Sequence, residues 1–316
     1  MIFKNTFKLL FTNFSLTYKV LIYKLLVFFV GFGVFIVIAE PTLSFFKSVG
    51  FISFMTDEMT IMFAEINLTN IFVCCKNILF ELIDVVKIMD ANVLINITLS
   101  SLSFLIIYGI LSNFSELAVL ECLNSNMSSK TKLSFAKELI SKIYKSFLMI
   151  IVRFILSLIF IVALAVVTYY SFVLYDKLTG IEQAVIPALY LVVLIILLSL
   201  QLVTFAGFSP SIIVNDDKIL NCLKIGFVTI RKKFLRVLST SLMIIFLIVV
   251  GNLLVSILTL FAGLILTLPI TYLIICLFKI ITFYESNGMR YYVGDTIRTP
   301  LKKEEQDKFN KLKYIL

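Results

Sequence analysis

The chain has 316 residues, of which 60% are hydrophobic and only 15% are charged, and 31 of them are Phe. A soluble chain of this length would lack the polar surface needed to cover itself, so the composition predicts an all-α membrane protein with several spans. The formal net charge of +9 favours anionic lipid headgroups over nucleic acid as the partner, because basic residues flank apolar segments and no nucleic-acid-binding motif accompanies them.

Histidine is absent from the chain. Because His is the commonest metal ligand and general base, its absence excludes Ser-His hydrolases and His-dependent intramembrane metalloproteases. The cysteines have no metal-like spacing, and adjacent residues bridge each other only with strain, so free thiols are expected. There is also no P-loop and no pair of catalytic carboxylates. We therefore expect no catalytic residue, no metal and no cofactor. The five thiols are Cys74, Cys75, Cys122, Cys222 and Cys276.

The N-terminal segment 1–24 predicts a basic amphipathic helix at the membrane surface, since lysines alternate there with large apolar residues. Its lysines are Lys4, Lys8, Lys19 and Lys24. The segment leads into a first span at 25–39. A cleaved signal peptide is the alternative, because Val37, Ile38 and Ala39 would suit signal peptidase, but the basic lead-in is longer than such peptides have.

The segment 40–92 has intermediate hydropathy and mostly acidic charges. Apolar residues recur in it at helical spacing, which predicts one or two amphipathic helices at the outer surface of the membrane. A short re-entrant hairpin fits the same pattern. Neither half of the segment is long and uncharged enough for a full span.

Five further spans are predicted from uncharged apolar runs, which completes a membrane domain at 25–285. The run 237–278 carries no charge, and at about 1.5 Å per residue it is long enough for two crossings joined by a turn. Arg153 lies near the start of the third span, where we expect its side chain to reach the headgroups. The six predicted spans are about 25–39, 93–111, 147–172, 185–208, 237–258 and 264–285.

The distribution of basic residues predicts the orientation of the spans. Four segments are rich in Lys and Arg, namely 1–24, the loops 112–146 and 209–236, and the tail 286–316. The segments 40–92 and 173–184 are mainly acidic. Both termini are therefore predicted in the cytoplasm, and the Lys-rich tail is expected to be loosely ordered. The abundance of Lys, Ile, Phe and Asn is typical of an AT-rich genome and indicates the cytoplasmic membrane of a bacterium.

A second basic amphipathic helix is predicted within 209–236. Its apolar residues are spaced by three or four and share one face, with basic residues opposite. We expect Asp216 or Asp217 to cap its first turn. The apolar face comprises Ile219, Leu223, Phe227, Ile230 and Phe234. The basic residues predicted to contact lipid headgroups are Lys137 and Lys145 in the preceding inner loop and Lys224, Arg231 and Lys232 in this one.

The lead-ins to spans three and five are alike. Lys137 and Phe147 correspond to Lys224 and Phe234 in order and spacing. One interpretation is a set of three repeated hairpins, each preceded by a basic interfacial helix, since the start of the chain echoes the pattern weakly. The other is that any Lys-rich helix before a span on the inner side has this pattern.

The stretch 210–238 contains a Pro after the fourth span, a short apolar and acidic turn, and a basic helix that ends in Phe-Leu-Arg-Val. In this order it resembles the membrane-domain family related to glycerophosphoryl diester phosphodiesterases, a group of six-helix bacterial membrane proteins. The resemblance implies a six-helix layout but no phosphodiesterase activity, because the chain has no hydrolase domain. Cys222 and Gly226 stand where the family usually has Ala and Ser, and Leu235 where it has Trp. The matching residues are Pro210, Val214, Asp216, Leu223, Lys224, Phe227, Phe234, Arg236 and Val237.

Gln201 in span four and Asn252 in span five are intramembrane amides, which either pack helices together or line a groove. The acidic residues Glu116, Glu121 and Glu285 lie at span ends, where a solvated charge is the usual explanation, and this argues against an intramembrane enzyme. The leading hypothesis is a non-enzymatic protein that handles lipid or amphiphile, or supports envelope assembly. A transport permease subunit with a separate ATPase partner is the alternative, and the oligomeric state is left open.

Overall fold

The computed structural model describes residues 2–259, 262–294 and 296–298, and almost all of them are helical. Six segments are long and apolar enough to cross a membrane, which confirms the predicted all-α bundle with six spans. In chain order the elements are α1 (Ile2–Thr12), α2 (Phe14–Ser48), α3 (Phe51–Ala64), α4 (Leu68–Lys87), α5 (Ala91–Ser129), α6 (Phe135–Ser141), α7 (Ile143–Lys177), α8 (Ile181–Phe205), α9 (Phe208–Asn215), α10 (Ile219–Arg231), α11 (Phe234–Thr259), α12 (Leu264–Asn287), β1 (Tyr291–Val293) and β2 (Thr296–Arg298). The six candidate spans are α2, α5, α7, α8 together with α9, α11 and α12.

Several helices run well beyond the apolar spans predicted for them. Helix α5 has 39 residues, or about 58 Å at 1.5 Å per residue, although a bilayer core is only about 30 Å thick. Hydropathy marks the part of a helix that meets lipid, whereas the helix itself ends where its backbone changes conformation. Helix α5 ends before Lys130, which has a φ of 56°, and α2 ends shortly before Gly50, which has a φ of 77°.

The chain divides into two compact units. The first unit takes Met1–Tyr23, Asn113–Ser157 and Leu198–Leu316, so far as these residues are described, and the second takes Lys24–Ser112 and Leu158–Leu197. Each of the helices α2, α5, α7 and α8 therefore contributes one part to the first unit and one part to the second. Most of the large side chains that are fully buried belong to the first unit, and examples are Leu117, Leu120, Phe205, Phe208 and Phe278.

In the first unit, α1 packs against α12, and α10 packs against α9. The approach of α10 is close enough to bring backbones into contact. A Cβ added at Gly226 would lie 2.7 Å from the carbonyl carbon of Gly207, and one added at Gly207 would lie 2.5 Å from the carbonyl oxygen of Gly226. Both positions need glycine for this reason.

Helix α10 confirms the predicted helix in 209–236, but its buried face differs from the predicted apolar face. Its buried residues are Cys222, Gly226, Thr229 and Ile230. Of the predicted apolar face, Phe227 and Phe234 are exposed and only Ile230 is buried. Small residues pack against α9 because only they permit the close approach.

The predicted helix cap is wrong for Asp216, whose carboxylate pairs with Lys145 instead. The N-cap of α10 is Lys218, which makes no side-chain capping bond, and Asp217 accepts the backbone N–H of Lys218 through Oδ1. Asp216 adopts the left-handed conformation that ends α9, so its side chain is directed by that turn.

In the second unit, the segment 40–92 forms the end of α2 and the two helices α3 and α4, which pack against each other. Phe72 of α4 lies between Phe172 and Tyr190, with ring centroids 4.9 and 5.5 Å away. Lys76 pairs with Asp176 beside this aromatic group. Aromatic packing thus joins α4 to α7 and α8, while the interfacial or re-entrant placement of this segment stays a prediction.

The start of the predicted loose tail is folded. Strands β1 and β2 pair antiparallel, with Tyr291 opposite Arg298, and Tyr291 and Val293 are buried. Alternation of side chains along β1 places these two on one face, and this face packs on α1. The expectation of a loosely ordered tail is therefore wrong for 291–294 and 296–298, and residues 295 and 299–316 lie outside the described residues.

Candidate functional site

The first unit encloses a charged cluster around Glu116 of α5. Its carboxylate pairs with Arg153 of α7 through Oε2 and with Lys279 of α12 through Oε1, each at 2.5 Å. The hydroxyl of Ser209 on α9 also donates to Oε1, at 2.5 Å. Four helices thus meet at one carboxylate, and we call these four residues the Glu116 cluster.

The surroundings of Glu116 explain why its side chain must find partners within the protein. The neighbouring residues on α5 from Ser115 to Leu120 are all fully buried, so every face of the helix is covered at this level. A carboxylate removed from water is strongly destabilised unless cations or hydrogen-bond donors surround it. The cluster supplies both kinds of partner to the same two oxygens.

The cluster holds more positive than negative charge. One carboxylate faces an ammonium and a guanidinium, so its formal charge is one positive unit. Glu116 and Lys279 are each 2% exposed through their side chains, whereas Arg153 is 29% exposed. The excess charge therefore reaches the surface only through Arg153.

The position of Arg153 near a span end predicted that its side chain reaches the headgroups. In the structure the side chain also contacts groups of the protein. Its Nη1 donates to Glu116, and its Cζ lies 5.9 Å from the ring centroid of Phe205. A guanidinium has five N–H donors in a fixed fork. Within the described part of the chain, Nη1 alone makes a hydrogen bond, so the exposed edge of Arg153 still has donors to offer.

A second polar contact lies next to the cluster. The hydroxyls of Ser115 and Tyr272 are 2.9 Å apart and join α5 to α12. Ser115 precedes Glu116, so the two contacts hold the same turn of α5 against the same neighbouring helix. They set the rotation of α5 about its axis and thereby direct the carboxylate toward Lys279.

The residues predicted to contact headgroups do not converge on this cluster. Lys137 on α6, Lys224 and Arg231 on α10, and Lys232 just after α10 are exposed. The fifth, Lys145, is half-buried and pairs with Asp216. This hydrogen bond and the charge of Lys145 lower the pKa of Asp216 from its usual value. Contact of these five residues with headgroups stays a prediction.

The two predicted intramembrane amides also lie apart from the cluster. Asn252 donates through Nδ2 to the hydroxyl of Thr271 at 3.3 Å, which joins α11 to α12. This bond favours a packing role for Asn252. Gln201 is half-buried on α8.

Sequence reasoning assigned solvated charges to three acidic residues, and the structure corrects two of them. Glu116 lies in the cluster, and Glu285 is 3% exposed and accepts from Tyr291 and Arg298. Glu121 is half-buried and pairs with Lys142 at 3.2 Å. The cluster could have been predicted from the opposite charges that the sequence places within apolar helices, since such charges pair with one another in a membrane bundle.

Comparison with known proteins adds no relative: no family model, no curated protein and no solved structure matches this chain. The resemblance of 210–238 to a phosphodiesterase-related membrane family therefore stays a prediction. Among the described residues, no group of three or more Cys, Asp or Glu side chains could hold a metal ion.

Proposed function

We propose that this chain is a non-enzymatic protein of a bacterial cytoplasmic membrane that binds an anionic amphiphile, with Arg153 as the contact for the headgroup. The protein would serve lipid handling or envelope assembly. The observation that supports this most is the excess positive charge of the Glu116 cluster, which reaches the surface only at Arg153.

An anionic headgroup suits the cluster on electrostatic grounds. Glu116 balances one of its two cations, so a phosphate or carboxylate at Arg153 would make the assembly neutral. Arg recognises such groups with two parallel hydrogen bonds, and its fork has donors left for them. A second protein carboxylate could do the same, but none is bonded to Arg153 among the described residues.

The surface beside Arg153 suits the apolar part of an amphiphile. Ile151, Phe154 and Ile155 on the same helix are exposed, although they lie in a candidate span. Exposed large apolar residues in such a helix face lipid tails. A bound amphiphile would therefore place its tail along α7 and its headgroup at the guanidinium.

The predicted depth of the cluster agrees with this arrangement. Glu116 follows the predicted second span, Arg153 lies near the start of the third, and Lys279 lies in the last turns of the sixth. All three positions are toward the side with the basic loops, which is the predicted cytoplasmic side. The proposed ligand is therefore a lipid or amphiphile of the inner leaflet.

Lipid binding by an Arg153→Gln variant tests the proposal. The substitution leaves the Glu116–Lys279 pair neutral, so the fold should persist. Native mass spectrometry of the purified protein with added phosphatidylglycerol or phosphatidylcholine should show preferential retention of the anionic lipid by the wild type. Arg153→Gln should lose that preference, whereas the matched Arg290→Gln variant at an exposed position should keep it. Equal retention of both lipids by the wild type would refute the proposed site.

A permease subunit is the second candidate, because an N-terminal helix precedes the six spans in the structure as it does in such subunits. An ATPase partner would need an inner surface to bind. Co-purification of an ATPase from native membranes, together with nucleotide hydrolysis that depends on this chain, would favour that candidate over autonomous amphiphile binding.

A further inference from the structure

A groove of about 490 Å³ lies between α1 and the β1–β2 hairpin in the first unit. Helix α1 lines it with Lys4, Asn5 and Lys8, and the hairpin lines it with Thr296 and Arg298, together with apolar side chains. None of these residues belongs to the Glu116 cluster. The groove is therefore a separate candidate site.

Positive charge dominates the groove. Lys4 and Lys8 are one helical turn apart on α1, so their side chains project from the same face. Both are exposed, and neither has a carboxylate partner among the described residues. The described lining residues include three cations and no acid. Like charges at this spacing repel each other, and a bound anion would relieve that repulsion.

The two walls of the groove are held together by one buried carboxylate. Tyr291 donates its hydroxyl to Glu285 Oε1 at 2.8 Å, and Arg298 donates Nε to the same oxygen at 2.8 Å. Asn5 on α1 donates to the Tyr291 hydroxyl at 2.8 Å. This network positions α1 and the hairpin before any ligand binds, which lowers the entropic cost of binding.

The network also keeps the Tyr291 hydroxyl protonated. Burial raises the pKa of Tyr291, and the carboxylate of Glu285 raises it further. The phenol therefore remains a hydrogen-bond donor to Glu285 over the physiological pH range. Because Glu285 balances the charge of Arg298, the unbalanced positive charge of the groove comes from Lys4 and Lys8.

We propose that this groove binds a phosphate-bearing ligand through Lys4 and Lys8. Ammonium groups, a guanidinium, an amide and a hydroxyl line it, and all of them can donate to phosphate oxygens. The volume lies within the usual range for small-molecule sites, so the ligand has a body beyond its phosphate. A soluble phosphorylated compound and a phospholipid headgroup share this chemistry.

Two binding measurements on the full chain distinguish these sources. The protein is placed in phosphatidylcholine nanodiscs, and binding of inorganic pyrophosphate is followed by isothermal titration calorimetry. In parallel, native mass spectrometry measures retention of phosphatidylglycerol. A Lys4→Gln/Lys8→Gln variant should weaken one of the two by about tenfold or more, as loss of charge-assisted hydrogen bonds does. Lys47→Gln/Lys177→Gln is the matched control with the same change in charge at two exposed positions, and it should bind like the wild type.

Each outcome decides the proposal. If the Lys4/Lys8 variant loses only pyrophosphate binding, the groove is assigned to a soluble phosphate compound. If it loses only phosphatidylglycerol retention, the groove is assigned to a lipid headgroup. Loss of both supports a phosphate site that accepts either source. A Lys4→Arg/Lys8→Arg variant should retain binding, which separates loss of charge from loss of fold. If neither probe binds, or if both Gln variants bind equally, the groove is an ordinary solvated surface and the proposal is overturned.

Discussion

Glu116 and Lys279 are 163 positions apart in the chain, yet their side chains meet at 2.5 Å in a place where each is 2% exposed. The pair joins α5 to α12 inside the first unit. Because Arg153 adds a second cation to the same carboxylate, Glu116 is the group on which the charge balance of the whole cluster depends. Replacement of Glu116 should therefore destabilise the protein more than replacement of Lys279 or Arg153.

Replacement of Glu116 by Gln should destabilise the protein severely. The change leaves Lys279 and Arg153 without an anion, and breaking a buried pair in this way costs roughly 3–5 kcal/mol. Asp84→Asn is the control, since Asp84 pairs with Lys87 in an exposed position and such pairs contribute about 1 kcal/mol or less. Thermal unfolding in detergent measures both. Similar shifts for the two variants would contradict a special role for Glu116.

Replacement of Gly226 by Ala should separate α10 from α9. The new methyl group would lie within 3 Å of the backbone of Gly207, which has no flexible end that could move aside. We expect lower thermal stability and greater protease sensitivity around α10. Gly251→Ala is the control, because nothing lies within 4 Å of that added Cβ, and Ala there should be neutral or stabilise the helix by up to about 1 kcal/mol. Equal stability of both variants would contradict the close contact.

The thiols at 74 and 75 should respond differently to an impermeant maleimide on intact cells. Cys75 is exposed and Cys74 is buried, so a variant that retains only Cys75 should be labelled and one that retains only Cys74 should not. Labelling of Cys75 should increase as the pH rises, because the thiolate is the reactive form.

The same experiment tests the predicted threading. Cys122 and Cys222 are buried, so a lack of labelling would not show on which side of the membrane they lie. A Lys224→Cys substitution provides an exposed thiol on the predicted cytoplasmic side. It should be labelled only after the cells are permeabilised, and labelling of this position in intact cells would invert the predicted topology.

The Lys145–Asp216 pair should make stability depend on pH in acid. The hydrogen bond from Lys145 lowers the pKa of Asp216 in the folded state. Stabilisation is therefore fully present above the pKa of Asp in the unfolded chain and is lost as the pH falls through the folded pKa. Asp216 is exposed, so the effect should be small and screened by salt.

Asp216→Asn provides the comparison for this pair, since Asn tolerates the left-handed backbone that Asp216 adopts. Denaturant titrations over a range of pH should give a difference in the free energy of unfolding at neutral pH that disappears in acid. A difference that increases as the pH falls would show that the pair does not stabilise the fold.

Much of the fold could be predicted from the chain itself. Whether a segment enters lipid depends on the transfer free energies of its own side chains, so the long apolar runs around 147–172 and 237–278 were enough to predict spans. Helix α10 was also predicted, because its apolar and basic residues alternate at helical spacing. The single helix predicted for 1–24 divides at Asn13 into α1 and the start of α2. These are local properties, and the structure confirms that helices form at both places.

The partners of Glu116 were decided only by the tertiary structure. A helix surrounded by lipid and by other apolar helices is hydrophobic on every side, so its sequence has no periodic signal for the face that meets a given neighbour. The rotation of α5 that directs Glu116 toward Lys279, and the backbone contact between Gly207 and Gly226, depend on how distant helices pack. Charge pairing and close packing between residues far apart in the chain are settled by that packing, since the energies of those contacts exist only once the helices have met.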